Sequence, residues 1–278
     1  MKIETVKTEV FSMNYCRFGQ GKAKLVIVPG LSVQSVLGFA KAIEKSYQAL
    51  ADDFTIYVLD RRNELPEPYT VLEMAEDTAI ALQALGLGSV CLFGASQGGM
   101  IAMKVAADHP ELVKGLVLGS TSAQVTETLY CQVFKGWADI ARAGNAMALY
   151  LVFGEAIYPT LVFEQSRQVL LEAAKSVTEE ELYRFAIQAE GMKGFDIRED
   201  LKKIACPTLV LGSRDDQVLG GEASVQIAER IQDCELYMYD GYGHAVYDLA
   251  PDYRERMKRF IFSKHLYGQE DDGQNLYQ

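Results

Sequence analysis

Residues 89–106, SVCLFGASQGGMIAMKVA, carry the strongest structural signal in the chain. An apolar run typical of a buried strand is followed, from Gly98 onward, by the apolar stripe of a helix. A sharp turn between them at Ser96 would be strained and crowded, and it needs small residues two positions away on each side. Gly94 and Gly98 meet that need. Such a turn lifts the serine hydroxyl above the sheet, and the N-terminus of the next helix favours negative charge developing there. Ser96 is therefore a candidate nucleophile.

Outward from this stretch, short apolar runs alternate with helical patterns. Runs of this kind suit strands covered on both faces, and the alternation predicts an α/β fold: a mainly parallel central sheet with helices on both faces. The predicted strands are residues 24–31, 54–62, 89–96, 114–120, 206–213 and 234–243, with a hairpin of residues 3–10 and 13–18 at the sheet edge. The predicted helices are residues 71–85, 98–108, 222–231 and 251–265.

One region, from about residue 121 to residue 199, interrupts the alternation. It shows only helical patterns, at residues 130–143, 144–153, 161–174 and 178–189, and it is too long for a loop in a compact domain. The region predicts a helical cap inserted over one end of the sheet. We therefore divide the chain into a core of residues 1–121 and 200–267, a cap of residues 122–199, and a flexible acidic tail of residues 268–278.

The composition excludes several function classes. The 278 residues carry 27 basic and 38 acidic side chains, a formal net charge of −11, which disfavours nucleic acid because phosphate binding needs a basic face. The five cysteines are scattered and form no CxxC pair, which favours free thiols and a cytoplasmic location. The sequence has neither a secretory signal nor an apolar run long enough to span a membrane. Motifs for zinc or nucleotides are also missing, so no metal and no cofactor is expected.

A nucleophilic serine needs a base, and the chain has three histidines. His109 and His265 fall near the ends of predicted helices, where a solvent-facing histidine is the simpler interpretation. His244 follows a predicted strand, and the small residues Gly243 and Ala245 beside it would allow an imidazole to approach another part of the backbone closely. Its alternative interpretation is a surface loop histidine. We take His244 as the candidate base.

The carboxylate that would orient this imidazole is either Asp215 or Asp216, which are adjacent after the strand PTLVLGS. The chain order Ser96, Asp215 or Asp216, then His244 is the serine–acid–histidine order of α/β-hydrolases. Together with the segments VIVPG, DRR, GASQGG, HPELVKGLVLGS and YGHAVY, it makes nearly the whole chain resemble the α/β-hydrolase fold superfamily with a helical cap.

The resemblance implies a choice of acid and an oxyanion hole. Family spacing places the acid nine residues after the proline that opens the strand, which from Pro207 gives Asp216, whereas the G-x-x-D habit would give Asp215. We take Asp216 as the acid, so Asp215 is expected to face solvent or cap the next helix. The family's oxyanion donors correspond to the backbone N–H groups of Gln97 and Leu31, although many relatives have His-Gly where this chain has Pro-Gly.

The resemblance further implies a serine hydrolase acting through an acyl-enzyme on Ser96. A small or medium apolar carboxylic ester is the expected substrate, because the cap is apolar and the sequence shows no basic cluster for anions. Two alternatives stay open: other chemistry on the same scaffold (C–C bond hydrolysis, acyl transfer or perhydrolysis) and a non-catalytic ligand-binding receptor. A homo-oligomer also stays open. Aromatic and apolar cap residues either line an acyl pocket or pack the cap itself: Phe134, Trp137, Met147, Tyr150, Phe153 and Tyr158.

Overall fold

The computed structural model describes residues 2–266, in which eight strands form one sheet. The strands are β1 (Ile3–Lys7), β2 (Ser12–Phe18), β3 (Ala23–Val28), β4 (Phe54–Arg62), β5 (Val90–Ala95), β6 (Val113–Gly119), β7 (Thr208–Ser213) and β8 (Cys234–Tyr239). Their spatial order is β1-β2-β4-β3-β5-β6-β7-β8. The first hairpin and the β2–β4 pair are antiparallel, and every later pair is parallel. The mainly parallel sheet with an edge hairpin is confirmed, while the predicted acidic tail lies outside the described residues.

Helices cover both faces of this sheet. The helices are α1 (Ala40–Ser46), α2 (Val71–Ala84), α3 (Gln97–Asp108), α4 (Glu127–Leu129), α5 (Lys135–Arg142), α6 (Ala146–Ile157), α7 (Thr160–Ala174), α8 (Glu179–Glu190), α9 (Gly221–Ala228), α10 (Val246–Leu249) and α11 (Tyr253–Ser263). Alternate residues of β3 belong to two separate cores, Val26 and Val28 to one and Leu25 and Ile27 to the other. Helices α2, α3 and α9 contribute to the first core, and α1 and α11 to the second. The α/β layering follows from this alternation.

Helices α4 to α8 lie between β6 and β7, where the sequence predicts the cap. Edge-to-face contacts between aromatic rings link several of these helices. The centroid of the Trp137 ring lies 5.5 Å from that of Phe134 and 4.8 Å from that of Phe153, and the Phe153 centroid lies 5.7 Å from that of Phe185. A capping box starts α8, because Thr178 and Glu181 satisfy each other's backbone N–H groups. A single bridge between Gln124 and Asp196 closes the base of this helical segment. The division of the chain into core and cap stays a prediction.

Three helices escape the sequence prediction, and one of them is the three-residue α4, which precedes the predicted helix at residues 130–143. Helix α1, sequence AKAIEKS, buries only Ala40, so it has no apolar stripe to detect. Helix α10 has only four residues. Across residues 2–266, no helix is both long and apolar enough to cross a bilayer. The five cysteines are free thiols.

Candidate active site

Ser96 occupies a strained turn between β5 and α3. Its backbone has φ 53° and ψ −125°, a region that residues with a side chain rarely adopt. The two flanking glycines make the turn possible: a Cβ on Gly94 would lie 2.2 Å from the Gly98 carbonyl oxygen, and a Cβ on Gly98 would lie 2.0 Å from that of Val28. The Ser96 N–H donates to Gly119 O at 2.9 Å. The local sequence G-A-S-Q-G therefore has a steric explanation.

The structure brings His244 against Ser96 from the other end of the chain. His244 lies in the loop between β8 and α10 and is 2% exposed. Its Nε2 is 2.9 Å from Ser96 Oγ, and its Nδ1 is 2.9 Å from Asp216 Oδ2. An ionised carboxylate can only accept hydrogen bonds, so the proton belongs on Nδ1, and Nε2 accepts from the serine hydroxyl. This is the tautomer that a general base needs.

Asp216 is held by groups that favour its ionised form. Its Oδ1 accepts from the N–H groups of Val218 at 2.8 Å and Leu219 at 3.1 Å. Burial acts to raise the pKa of the Asp216 carboxyl, but the attraction of His244, their hydrogen bond and the two backbone donors outweigh it, and the pKa is lowered. The buried carboxylate therefore stays charged where it meets the imidazole.

Asp215 has a different position. The residue is exposed, as expected for the aspartate not facing His244, but it caps no helix, because α9 begins at Gly221 with Gly220 at its N-cap. Its Oδ1 accepts from the Ser213 hydroxyl at 2.7 Å and from Gly241 N–H at 3.0 Å, and its Oδ2 accepts from Gly243 N–H at 3.0 Å. Asp215 thus ties the end of β7 to the loop that carries His244. Sequence reasoning missed this because bonds to backbone groups leave no side-chain pattern.

The two predicted oxyanion donors lie beside Ser96. Gln97 is the first residue of α3 and is fully buried, and Leu31 lines the same small cavity as Ser96 and His244. Among residues 2–266, neither the Gln97 N–H nor the Leu31 N–H donates to a protein acceptor. The loop that carries Leu31 approaches Ser96 closely because residue 30 is glycine: a Cβ on Gly30 would lie 3.1 Å from Ser96 Cβ.

The cavity that contains Ser96 Oγ is small and apolar. Its volume is about 10 Å³, near the minimum that holds one water molecule. Three of the aromatic residues singled out in the sequence line it, whereas Met147 is half exposed and Tyr150 donates a hydrogen bond to Gln34 Oε1. The lining residues are Leu31, Ser96, Phe134, Trp137, Phe153, Ile157, Met192, His244 and Tyr247.

A second, larger cavity is lined in part by Pro29 and Gly30. It has a volume of about 60 Å³ and is lined by polar and charged groups, among them Asp60, Arg61, Glu181 and Arg184. Two arginines that are distant in the sequence, Arg61 and Arg184, meet at this cavity together with two carboxylates. No cluster of three or more His, Cys, Asp or Glu side chains in the described part of the chain could hold a metal ion.

Comparisons with known proteins agree with the fold. A family model described as alpha/beta hydrolase fold matches residues 25–251. "Putative carbamate hydrolase RutD" of Rhizobium rhizogenes is 26% identical over 77% of this chain and 85% of its own length, and the pyrrolizixenacetamide deacetylase of Xenorhabdus hominickii is 24% identical over 82% and 86%. The crystal structure of the enol-lactonase from Burkholderia xenovorans LB400 superposes with a TM-score of 0.81 and 18% identity, covering 93% of this chain and 100% of that one. The chain belongs to the alpha/beta hydrolase fold family, and this membership supports hydrolase activity.

Proposed function

We propose that this protein is a serine hydrolase that cleaves a small or medium apolar carboxylic ester through an acyl-enzyme on Ser96. One observation carries the proposal: the His244 imidazole lies 2.9 Å from both Ser96 Oγ and Asp216 Oδ2. A serine hydroxyl is a weak nucleophile near neutral pH unless an adjacent base takes its proton. The three side chains come from three separate loops, and their bonding order is the one that this activation requires.

The proposed reaction uses each group in turn. Ser96 Oγ attacks the acyl carbonyl as His244 Nε2 takes the hydroxyl proton, and the Asp216 carboxylate stabilises the imidazolium that forms. His244 then gives the proton to the leaving alkoxide, and the alcohol departs. Water attacks the acyl-enzyme by the same path, with His244 again acting as base, and releases the acid.

Negative charge on the carbonyl oxygen would be held by backbone donors. The N–H groups of Gln97 and Leu31 are the candidates, because both flank Ser96 and neither has a protein acceptor within residues 2–266. Donors fixed in advance in a site that excludes water stabilise such charge without reorganising during the reaction. The N-terminal end of α3 adds a favourable dipole at the same point.

The size of the apolar cavity supports a small-molecule substrate with a short acyl group. A volume of about 10 Å³ leaves little room beyond the reacting carbonyl. A longer acyl chain requires lining side chains such as Trp137 and Phe153 to move, because both border this cavity. A cytoplasmic location belongs to this proposal as well, with the free thiols in its support.

A second candidate reaction is hydrolysis of a C–N bond at a carbonyl carbon. The names of two relatives, a carbamate hydrolase and a deacetylase, favour it. The same groups would act, with His244 protonating an amine instead of an alkoxide. Comparing a 4-nitrophenyl ester with the anilide of the same acid separates the two: a higher kcat/KM for the ester supports the first candidate, and a higher value for the anilide supports the second.

The proposal is tested by turnover of 4-nitrophenyl acetate, butyrate and octanoate by wild type and Ser96→Ala side by side. We expect turnover that falls from acetate to octanoate and is abolished in the variant. Ser122→Ala is a matched control, since its hydroxyl bonds the backbone of Gln124 and lies outside the cavity. Equal weak rates in wild type and Ser96→Ala would refute the proposal.

A further inference from the structure

The polar cavity beside Gly30 contains two arginines without a carboxylate partner. Nine of the twelve arginines in the chain have a side-chain nitrogen within 4.0 Å of an acidic oxygen. Within residues 2–266, Arg61, Arg184 and Arg230 are the exceptions. Arg230 is exposed on the surface, but Arg61 and Arg184 line the same cavity. Two arginines without a direct ion-pair partner thus lie at one place, in a cavity that the carboxylates of Asp60 and Glu181 also line.

Arg61 is the more buried of the pair. It is 3% exposed, and its Nη2 donates to Pro29 O at 2.8 Å and to Gln97 Oε1 at 3.2 Å. Both acceptors are neutral, and its Nε has no hydrogen-bond partner in residues 2–266. A buried guanidinium is costly unless its donors meet an anion or enough hydrogen-bond acceptors. Arg61 lines the cavity, so an anion bound there would lie beside its guanidinium group.

Arg184 comes from the opposite side, on α8. Its Nη1 and Nη2 donate to the carbonyl oxygens of Asn63 and Arg62, which are again neutral. These bonds place its guanidinium at the cavity while leaving its charge uncompensated. Two cations this close repel each other, so the arrangement favours a bound anion between them.

The acidic residues of the cavity accept hydrogen bonds from neutral donors and, among the described residues, form no ion pair with either arginine. Asp60 accepts from the Ser35 hydroxyl at 2.5 Å and from its neighbour's backbone N–H. Glu181 closes the capping box of α8 and accepts from Gln34 Nε2 at 3.3 Å. Neither lies within ion-pair distance of Arg61 or Arg184 in the described structure.

The cavity and the nucleophile share a wall. Pro29 and Gly30 line the cavity, and the Cβ position of Gly30 is 3.1 Å from Ser96 Cβ. Ser96 itself does not line this cavity, and because residue 30 is glycine no side chain adds to the backbone of Pro29 and Gly30 at this wall. Arg61 also contacts the side chain of Gln97, the residue next to Ser96. A molecule bound at Ser96 therefore lies beside the polar cavity.

We propose that this cavity is a carboxylate subsite, and that the substrate carries a carboxylate a few bonds from its scissile carbonyl, held by Arg61 and Arg184. The planar fork of arginine matches a carboxylate, and such charge-assisted pairs are among the strongest hydrogen bonds in proteins. This inference rests on the serine hydrolase chemistry of the proposed function but replaces the apolar acyl group with one that ends in a carboxylate, which would lie in the polar cavity while the scissile carbonyl lies at Ser96.

The test compares two esters of equal acyl length, 4-nitrophenyl hydrogen adipate and 4-nitrophenyl hexanoate. We expect wild type to have at least a tenfold higher kcat/KM for the adipate ester, and Arg184→Met to lose that preference. Arg230→Met, which removes an unpaired arginine outside the cavity, should keep it. Arg184→Lys should retain part of it, because the charge remains but the fork is lost. Structural damage alone lowers both rates and leaves their ratio unchanged. Wild type preferring hexanoate, or Arg184→Met keeping the wild-type ratio, would overturn the subsite.

A binding measurement separates this inference from the hydrolase proposal. Titration calorimetry of adipate into Ser96→Ala requires no turnover, and we expect binding that disappears when Arg184→Met is added. If neither ester is hydrolysed, the proposed function fails and the titration alone decides the subsite. Adipate binding abolished by Arg184→Met then supports it. No binding to Ser96→Ala, or binding unaffected by Arg184→Met, overturns it.

Discussion

Replacing Asp216 by asparagine should damage activity far more than the same change at its neighbour Asp215. Asp216 uses Oδ1 for two backbone N–H groups and Oδ2 for His244 Nδ1. In Asp216→Asn the single amide oxygen is expected to keep the two backbone bonds, which turns the NH₂ group towards Nδ1. That donor needs a lone pair on Nδ1, so the imidazole proton moves to Nε2, where it faces Ser96 Oγ. The base then has nothing with which to accept the serine proton.

The size of the loss follows from this wrong tautomer. In a serine protease triad the equivalent change lowers kcat by about 10⁴-fold, which corresponds to about 5 kcal/mol of transition-state stabilisation. Asp215→Asn keeps one acceptor oxygen, so it loses one of the three hydrogen bonds that tie down the His244 loop. That costs about 1–3 kcal/mol of local stability, and we expect a rate loss of about tenfold. The two variants should therefore differ by about 10³-fold.

The assay is kcat/KM for 4-nitrophenyl butyrate at pH 8, with thermal melting curves to show that both variants fold. Each variant serves as the control for the other, since both remove one negative charge from adjacent positions. If Asp215→Asn were the slower enzyme, or if both lost activity equally, the assignment of Asp216 as the residue that orients His244 would be refuted.

Three further predictions concern stability and specificity. Gly98→Ala should lower the free energy of unfolding by about 3 kcal/mol or more, because its Cβ would lie 2.0 Å from Val28 O. Gly136→Ala, with open space around it in α5, should raise the free energy of unfolding by about 1 kcal/mol. Urea unfolding measures both variants, and equal midpoints would contradict the steric account. The lowered pKa of Asp216 stabilises the fold above its unfolded pKa of about 3.9, and this contribution is lost as pH falls through the folded pKa. The gap in unfolding free energy between wild type and Asp216→Asn should thus narrow from pH 6 to pH 3, and a constant gap would be inconsistent. Trp137→Leu should raise the octanoate-to-acetate ratio of kcat/KM by enlarging the apolar cavity, and an unchanged ratio would exclude Trp137 from its wall.

Much of the fold was predictable because its signals are local. The run from β5 through Ser96 to α3 combines an apolar strand, two glycines that sterics require and a striped helix, and each signal supports the others. The four helical patterns between β6 and β7 also correspond to observed helices. They could be predicted because the N-cap residue and the apolar spacing that mark a helix lie within a few residues of each other in the sequence. Helix α1 escaped prediction because its only buried residue is Ala40.

The site was predictable only in part, because much of it depends on contacts between distant segments. His244 could be chosen as the candidate base by elimination among three histidines, whereas one family spacing favoured Asp216 and another favoured Asp215. The tether that Asp215 forms with the His244 loop consists of bonds to backbone N–H groups, which the sequence does not display. The presence of Arg61 and Arg184 at one cavity is equally hidden, since β4 and α8 are far apart in the sequence.

The most direct test of the central claim is covalent labelling with a fluorophosphonate probe, followed by mass spectrometry of the digested protein. Only an activated serine reacts readily with such a reagent, so the measurement needs no knowledge of the substrate. We predict one adduct per chain, located on Ser96, absent in Ser96→Ala and at least 10³-fold slower in Asp216→Asn. Failure of wild type to label, or labelling at another residue, would contradict the serine hydrolase and favour a non-catalytic receptor on the same fold.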